Sequence, residues 1–178
     1  MDGRRLLIVV DYQKDFVDGA LGFPGAESLE APICRKIAEY KSSGDEVVYT
    51  MDTHDGTYLD TMEGKILPVP HTVLGTPGWE LYGRVKQELE GCREFQKPTF
   101  PSGDLYEYLK GKAYESVELV GLVSNMCVIS NAVIVKAALP NAEILVDRNC
   151  TASFDPELHE KALDVMAGFH VRITGGEQ

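Results

Sequence analysis

Three residues that can take part in nucleophilic or acid–base chemistry lie next to the ends of predicted β-strands. Asp11 closes the segment LLIVVD, Lys97 closes EFQK, and Cys127 begins the segment that follows SVELVGL. In an open α/β sheet, ligands bind outside the carboxyl ends of the strands, at the point where the strand order reverses. This rule brings a thiol, a carboxylate and an ammonium group to one edge, where they can serve as nucleophile, proton shuttle and charge balance.

Each of these residues also has a simpler interpretation. Cys127 lies in a long apolar segment, where a cysteine is commonly a small buried hydrophobic residue. In the first turn of a helix, however, unpaired backbone N–H groups and the helix dipole favour a thiolate, and the same N–H groups can bind an oxyanion. Taken alone, Asp11 is better explained as a strand-end cap, and Lys97 as a solvated surface lysine. The hypothesis of a reactive centre therefore depends on the three residues lying together.

A second group of residues has the spacing of metal ligands. Asp52 and His54 are two residues apart on an extended segment, so their side chains point to the same side. The long loop that follows returns His71, and Glu63 or Asp60 is expected as a fourth ligand. Mixed nitrogen and oxygen ligands suit several divalent metals. Zinc is the preferred metal, with iron or manganese as alternatives, whereas the simpler interpretation is a strand-end histidine that is only hydrogen-bonded.

Short β-branched segments alternate with segments of helical periodicity along the chain, which is typical of a parallel sheet with helices on both faces. The predicted fold class is α/β, with a three-layer, Rossmann-like, six-stranded parallel sheet. If the strand order is the doubly wound 3-2-1-4-5-6, Asp11 and Cys127 face each other, with Lys97 close by. The strands are expected at residues 6–11, 46–52, 94–97, 116–122, 143–149 and 170–174.

Helices are predicted between these strands. One follows Ser28 as N-cap, and others are expected in the amphipathic stretch 79–91, at 104–112 and over the buried segment 124–138. The last helix begins with Asp155 as N-cap and Pro156 at its first position. Its sheet-facing residues are expected to be Leu158, Ala162, Val165, Met166 and Phe169. Residues 53–78 show neither helical nor strand periodicity, which indicates a loop, and a loop of this length is usually functional.

The composition limits the class of protein. The 178 residues fit a single domain over 1–178, and a formal net charge of -11 argues against nucleic acid or an anionic membrane as partner. No apolar segment approaches the ~20 residues that cross a bilayer, and LLIVV is followed too soon by charge to be a signal peptide. The four cysteines form no CxxC pair, which indicates reduced thiols and a cytoplasmic location. The remaining histidines, His159 and His170, are expected on a helix surface and at a strand edge.

Several segments, taken in order, resemble the isochorismatase-like cysteine hydrolases and, within them, the nicotinamidases. These segments are DYQKDF at 11–16, DTH at 52–54, HTVLGTPG at 71–78, the strand-end Lys97, and GLVSNMCV at 121–128. The resemblance implies the isochorismatase-like hydrolase fold and a catalytic set, which falls here on Cys127, Asp11 and Lys97. It also implies the metal ligands, which fall on Asp52, His54 and His71.

The same resemblance implies contacts with the substrate. Phe16 is expected to make an aromatic contact with the substrate, and the backbone N–H groups of Val123 and Cys127 are expected to form an oxyanion hole. A cis peptide bond is expected just before Val123. Relatives are commonly dimers or tetramers, so a homo-oligomer is expected. The implied activity is cysteine-dependent hydrolysis of a small carboxamide to acid and ammonia through a thioester, with nicotinamide as the first substrate.

The sequence departs from the nicotinamidase pattern at two places. Pro68 stands where nicotinamidases usually carry a Trp or Phe that packs on the pyridine ring, and Ser124-Asn125 stands where they commonly carry Thr-Asp. Another small amide or ester is therefore an alternative substrate. Two further alternatives are attack by a metal-activated water, with Cys127 as a bystander, and a non-catalytic member of the fold that binds a small molecule.

Overall fold

The computed structural model describes residues 3–176, and its six strands form one all-parallel sheet in the order β3-β2-β1-β4-β5-β6. The predicted fold class and strand order are therefore confirmed. The strand β5 runs three residues beyond its predicted end at residue 149. The strands are β1 (Arg5–Val10), β2 (Glu46–Asp52), β3 (Arg93–Lys97), β4 (Ser116–Leu122), β5 (Glu143–Ala152) and β6 (Val171–Thr174).

Helices cover both faces of the sheet. They are α1 (Lys14–Val17), α2 (Glu30–Ser42), α3 (Met62–Ile66), α4 (Val85–Glu88), α5 (Gly103–Leu109), α6 (Ile129–Ala138) and α7 (Pro156–Gly168). Alternate residues of β1 enter two cores: Ile8 packs on the side of α5, α6 and α7, and Leu7 on the side of α2 and α4. Because both faces are buried, the strand is apolar throughout. Over residues 3–176, none of the helices has both the length and the apolar character needed to span a bilayer.

The amphipathic stretch 79–91 is α-helical only in α4, so the predicted longer helix was wrong. Before α4 the chain is extended, because Leu81 pairs with Gln13 in an antiparallel bridge and the Tyr82 N–H donates to the Tyr12 carbonyl at 2.9 Å. Gly83 then adopts a φ of 53°, a left-handed conformation that glycine tolerates. Hydrogen bonds to the segment after β1 therefore override the helical periodicity.

Two more local predictions need correction. Ser28 is not an N-cap, because it lies inside a 3₁₀ turn (Ala26–Leu29) and its Oγ donates to the Gly25 carbonyl at 2.6 Å. The loop 53–78 is not without regular structure, because it contains α3, where Thr61 caps the helix by accepting the Gly64 N–H. Both differences arise from local hydrogen bonds that apolar periodicity does not report.

Helix α7 begins as predicted but turns a different face to the sheet. Asp155 accepts hydrogen bonds from the N–H groups of Glu157 and Leu158 at 2.9 and 3.1 Å. Leu158 and Val165 are 38% and 56% exposed, whereas Leu163 is buried together with Ala162 and Met166. Apolar residues lie on more than one side of this helix, so its contacts with β6 and the turn before α6 determine which face is buried.

The strands β1 and β4 approach each other closely at Gly121. This residue pairs with Val10 and has a φ of 111°. A Cβ atom at position 121 would lie 2.0 Å from the Val10 carbonyl oxygen, far inside van der Waals contact. Glycine therefore allows the carboxyl ends of β1 and β4 to meet, one residue before Asp11.

Candidate active site

The carboxyl ends of β1, β2 and β3 bring three charged side chains into the protein interior. Asp11 directly follows β1 and adopts a φ of 44°, Asp52 ends β2, and Lys97 ends β3. All three are buried, and Lys97 is only 1% exposed. Because an unpaired buried charge is strongly destabilising, the Lys97 ammonium group must pair with the two carboxylates, and the three formal charges still leave one negative charge.

Lys97 is the centre of this cluster. Its Nζ lies 2.6 Å from Asp11 Oδ2 and 3.3 Å from Asp52 Oδ1. The same nitrogen donates to the Thr99 carbonyl at 3.0 Å and to the Cys127 Sγ at 3.4 Å. One ammonium group therefore joins two carboxylates and a thiol. The sequence-predicted trio of Asp11, Lys97 and Cys127 is thus brought together.

Burial and charge shift the pKa values in this cluster. Burial raises the pKa of the Cys127 thiol well above its usual value; the charge of Lys97 opposes this rise, and the charges of Asp11 and Asp52 add to it. Burial also raises the pKa of Asp11, against the effects of Lys97 and the Thr50 hydroxyl. Burial opposes the charge on Lys97, but the neighbouring negative groups prevail and raise its pKa. The resting form of Cys127 is therefore the thiol, whose proton must leave before it can act as a nucleophile.

Cys127 lies in a π-helical turn (Ser124–Val128) that joins β4 to α6. The helix predicted over 124–138 is therefore present, but it begins with this wider turn. The Leu122–Val123 peptide bond is cis, as the family resemblance implies. The Val123 carbonyl accepts the Met126 N–H at 3.0 Å, which folds the turn back over the end of β4.

A group of three buried residues beside this cluster has the arrangement of metal ligands. Asp52, His54 and His71 each bring one ligand atom to within 4.8 Å of the others. Asp52 Oδ2 lies 3.1 Å from His54 Nε2 and 3.4 Å from His71 Nε2. The His71 Nδ1 pairs with the Val69 carbonyl at 2.8 Å, which orients the ring so that Nε2 faces the group. Glu63 Oε1 lies 3.8 and 3.7 Å from the same two histidine nitrogens.

The chemistry of this group fits a divalent cation. His54 Nε2 is buried and makes no satisfactory hydrogen bond within the described part of the chain. Two imidazole nitrogens and a carboxylate are suitable ligands for zinc. Burial and the charge of Asp52 raise the pKa of Glu63, a cost that a bound cation would relieve. Of the two predicted fourth ligands, the structure places Glu63 beside the histidines, whereas Asp60 is exposed to solvent.

Asp52, His54 and His71 are called the metal group below. Several residues that hold this group in place were not identified from the sequence. The Thr72 hydroxyl donates to Asp52 Oδ2 at 2.7 Å, and the Thr72 N–H donates to Asp15 Oδ2 at 2.7 Å. The Gln13 side chain bonds both the N–H and the carbonyl of Asp52, at 2.8 and 2.9 Å. The DYQKDF segment was the only signal for Gln13 and Asp15. Thr72 has a φ of 43°, which local sequence patterns do not reveal.

Two polar contacts support the thiol and the carboxylate of the first cluster. Thr50 Oγ1 donates to Asp11 Oδ1 at 2.6 Å, and the alternation of side chains along β2 could have indicated it, since Thr50 and Asp52 share a face. Ser124 is buried and pairs with His159 Nδ1 at 2.9 Å. Burial lowers the pKa of His159. This histidine is therefore not the simple surface residue that was predicted, because it packs against the turn that carries Cys127.

Two neighbouring cavities lead to the cluster. The inner cavity, of about 30 Å³, is lined by Cys127, Asp52, Glu63 and His71 together with apolar side chains. The outer cavity is larger, at about 380 Å³. The two cavities share the wall residues Phe16, Leu21, Leu67, Val123 and Met126. Phe16 and Val123, the predicted substrate contacts, therefore lie between them. Pro68 is exposed to solvent, and its neighbour Leu67 lines both cavities.

The fold and this site define a class: doubly wound α/β proteins with a buried thiol, carboxylate and ammonium group where the strand order reverses. A model of the isochorismatase domain matches residues 5–178, almost the whole chain. The chain belongs to the isochorismatase family and is a nicotinamidase-like hydrolase.

Similar proteins support this assignment. A Bacillus subtilis (strain 168) relative, described as an uncharacterized isochorismatase family protein PncA, is 33% identical over 177 residues, covering 92% of this chain and 94% of its own. The crystal structure of the nicotinamidase PncA from Bacillus subtilis superposes with a TM-score of 0.83 at 31% identity, covering 96% and 99% of the two chains. The crystal structure of the pyrazinamidase of Pyrococcus horikoshii in complex with zinc superposes with a TM-score of 0.81 at 25% identity, covering 97% of this chain and 99% of the other.

Proposed function

We propose that this protein is a cysteine-dependent amidohydrolase that converts a small carboxamide, with nicotinamide as the first candidate, to its acid and ammonia. The observation that carries the proposal is the position of Lys97, whose Nζ contacts both Asp11 and the Cys127 thiol. A carboxylate, a thiol and an ammonium group, which can act as base, nucleophile and balancing charge, thus lie in one buried cluster. The nicotinamidase and pyrazinamidase activities named for the similar structures support the choice of substrate.

In the first half of the reaction, Asp11 takes the proton of Cys127 as the sulfur attacks the carboxamide carbon. The negative charge that develops on the carbonyl oxygen is held by the backbone N–H groups of Val123 and Cys127. Asp11 then returns the proton to the nitrogen, the carbon–nitrogen bond breaks, and ammonia leaves. Lys97 remains protonated throughout and balances whichever of the two neighbours carries the negative charge.

In the second half, Asp11 takes a proton from a water molecule that attacks the thioester. The carbon–sulfur bond breaks, and the proton returns to the sulfur, so that acid is released and the thiol is restored. A divalent metal, with zinc as the first candidate, would supply a Lewis-acid contact that orients the substrate. Its ligands would be Asp52, His54 and His71, with Glu63 as the fourth.

A second candidate is hydrolysis of a different small amide by the same chemistry. Leu67 occupies the wall position near which nicotinamidases usually place an aromatic ring, and Phe16 packs edge-on to His71 with ring centroids 5.6 Å apart. Phe16 is therefore one aromatic neighbour for the ring of a bound substrate. Phe100 also lines the inner cavity.

Ammonia release from nicotinamide, pyrazinamide and unrelated carboxamides tests the proposal. Cys127→Ala is expected to lower the rate at least a thousandfold without changing the metal content, whereas Cys92→Ala keeps the wild-type rate. Metal-activated water attack predicts the reverse: an active Cys127→Ala protein and complete loss of turnover on chelation. An active Cys127→Ala protein would therefore refute the cysteine mechanism.

We also propose that the protein is cytoplasmic, does not bind nucleic acid or membranes, and forms a homo-oligomer. The four unpaired thiols and the net charge of -11 support the first two statements. The family resemblance supports the third, and light scattering of the purified protein tests it.

A further inference from the structure

The outer cavity is larger than the proposed chemistry requires. At about 380 Å³ it falls within the range of roughly 300–1,000 Å³ that is usual for sites of drug-sized ligands. The reacting amide carbon must reach Cys127, which lines only the inner cavity. The inner cavity, at about 30 Å³, has room for little more than the reacting carboxamide group, so the ring of a single-ring amide extends into the outer cavity and leaves the remainder of that cavity free.

The wall of the outer cavity is apolar. None of the described residues that line it is charged or carries a polar side chain. They are Phe16, Ala20, Leu21, Gly22, Leu67, Val123, Met126 and Phe154. This composition contrasts with the inner cavity, whose wall carries the Asp52, Glu63 and His71 side chains. A group that fills the outer cavity must therefore be uncharged and apolar.

Phe154 gives an independent reason to expect an apolar occupant. It lies between β5 and α7 at the edge of the outer cavity and is 55% exposed, so its ring is accessible to a group that enters the cavity. The cavity is also continuous with the proposed reaction site through five shared wall residues. An occupant can therefore be part of the same molecule that reacts at Cys127.

We propose that the outer cavity binds an uncharged apolar substituent of the amide substrate, so that the preferred substrates are ring carboxamides larger than nicotinamide. This inference rests on the proposed function, because it takes the inner cavity as the site of amide cleavage. The substituent contributes binding energy but takes no part in bond making or breaking.

A series of substituted nicotinamides tests the inference. Hydrogen, methyl, ethyl and n-propyl groups are placed at ring carbon 5 and, in a second series, at ring carbon 6, and kcat/KM for ammonia release is measured. Each methylene buried in the cavity is expected to raise kcat/KM about two- to fourfold in at least one series. A carboxylate at the same carbon is expected to lower it more than tenfold, because its charge would be buried without a partner.

A pair of variants assigns the effect to this cavity. Phe154→Ser is expected to reduce the gain per methylene. The matched control Val133→Ser alters a residue that is 50% exposed on α6 and outside both cavities, and is expected to keep the full gain.

The outcomes separate the two proposals. If nicotinamide is hydrolysed but kcat/KM stays flat across both series, or if Phe154→Ser keeps the full gain, the inference is wrong and the proposed function stands. A flat series together with a change of oligomeric state in Phe154→Ser would instead identify the surface as a contact between subunits. If no amide releases ammonia, the proposed function fails and the inference fails with it.

Discussion

Asp52 is the residue that joins the two halves of the site. One carboxylate oxygen contacts Lys97, and the other faces His54 and His71 and accepts the Thr72 hydroxyl. Burial would raise the pKa of this carboxyl, but the hydrogen bonds and charges of its partners lower it instead. Asp52 is thus an anion at all moderate pH values, and both the ammonium group and a cation can depend on its charge.

The pKa of Cys127 leads to a prediction about the base. The negative charge of Asp11 raises the pKa of the thiol and the positive charge of Lys97 lowers it. Asp11→Asn removes the first effect and keeps the second, so the pKa of Cys127 should fall. We expect alkylation by iodoacetamide to become faster at pH 7, and its pH profile to move to lower pH. Amide hydrolysis should nevertheless fall by about 10²–10⁴-fold, because the proton shuttle is lost.

The control for this prediction is Asp18→Asn, an exposed substitution that should change neither the alkylation profile nor the hydrolysis. An alkylation profile in Asp11→Asn that stays in place or moves to higher pH would contradict the proposed charge balance.

Thr72 leads to a prediction about the metal ligands. Thr72→Val keeps the β-branched shape in the same backbone conformation and removes only the hydroxyl that orients Asp52. Loss of such a supporting hydrogen bond typically weakens metal binding about 10–100-fold. Competition with a chromophoric chelator measures the zinc affinity directly. The control is Thr76→Val, because the Thr76 hydroxyl donates to the Val73 carbonyl in the same loop. This variant should bind zinc like the wild type.

At the scale of helices and strands, the N-terminus of α7 has a stability role that can be measured. The Asp155 carboxylate accepts two backbone N–H groups of the first turn. Asp155→Ala should lower the free energy of unfolding by about 0.5–2 kcal/mol, as is usual for loss of an N-cap. Asp164→Ala, at an exposed position of the same helix, should change it by less than about 0.5 kcal/mol. Urea denaturation measures both, and equal effects would show that Asp155 is no cap.

The strand ends explain why so much of the site could be predicted. Because buried parallel strands are continuous apolar segments, their ends are easily located, and Asp11, Asp52 and Lys97 lie at three of them. Their proximity to Cys127 follows from these positions together with the doubly wound strand order, which was a condition of the prediction and which the sheet has. The catalytic roles of the residues remain predictions.

The remaining parts of the site depend on contacts between distant segments. The segment around Leu81 is extended because it pairs with Gln13, and Thr72 takes its conformation from a bond to Asp15. The choice of Glu63 over Asp60 depends on where α3 begins. No local pattern of apolar residues reports such hydrogen bonds, which is why the loop 53–78 and the stretch 79–91 were described incorrectly from the sequence.

For the molecule as a whole, the metal group predicts a stability that depends on zinc. A ligand that binds only the folded state stabilises it by about 2.7 kcal/mol at a concentration one hundred times its Kd. For a protein of this size that corresponds to a rise in Tm of roughly 5–10 °C. Scanning calorimetry of the metal-free protein should show this rise on adding zinc.

The variant His71→Ala should lose this rise, and His170→Asn should keep it. His170 is exposed and has a φ of 71°, a conformation that asparagine tolerates. If zinc stabilises His71→Ala as much as the wild type, zinc binds at a different place in the protein.

The close approach of β1 and β4 at Gly121 has a consequence for which substitutions in this protein abolish its activity. A side chain at position 121 must push Val10 away, and Asp11 directly follows Val10 at the end of β1. A variant there would move Asp11, the proposed base, relative to the Cys127 thiol while leaving both groups chemically intact. Among alleles selected for loss of activity, substitutions of this glycine should therefore appear beside those of Asp11 and Cys127, although glycine has no side chain that could react.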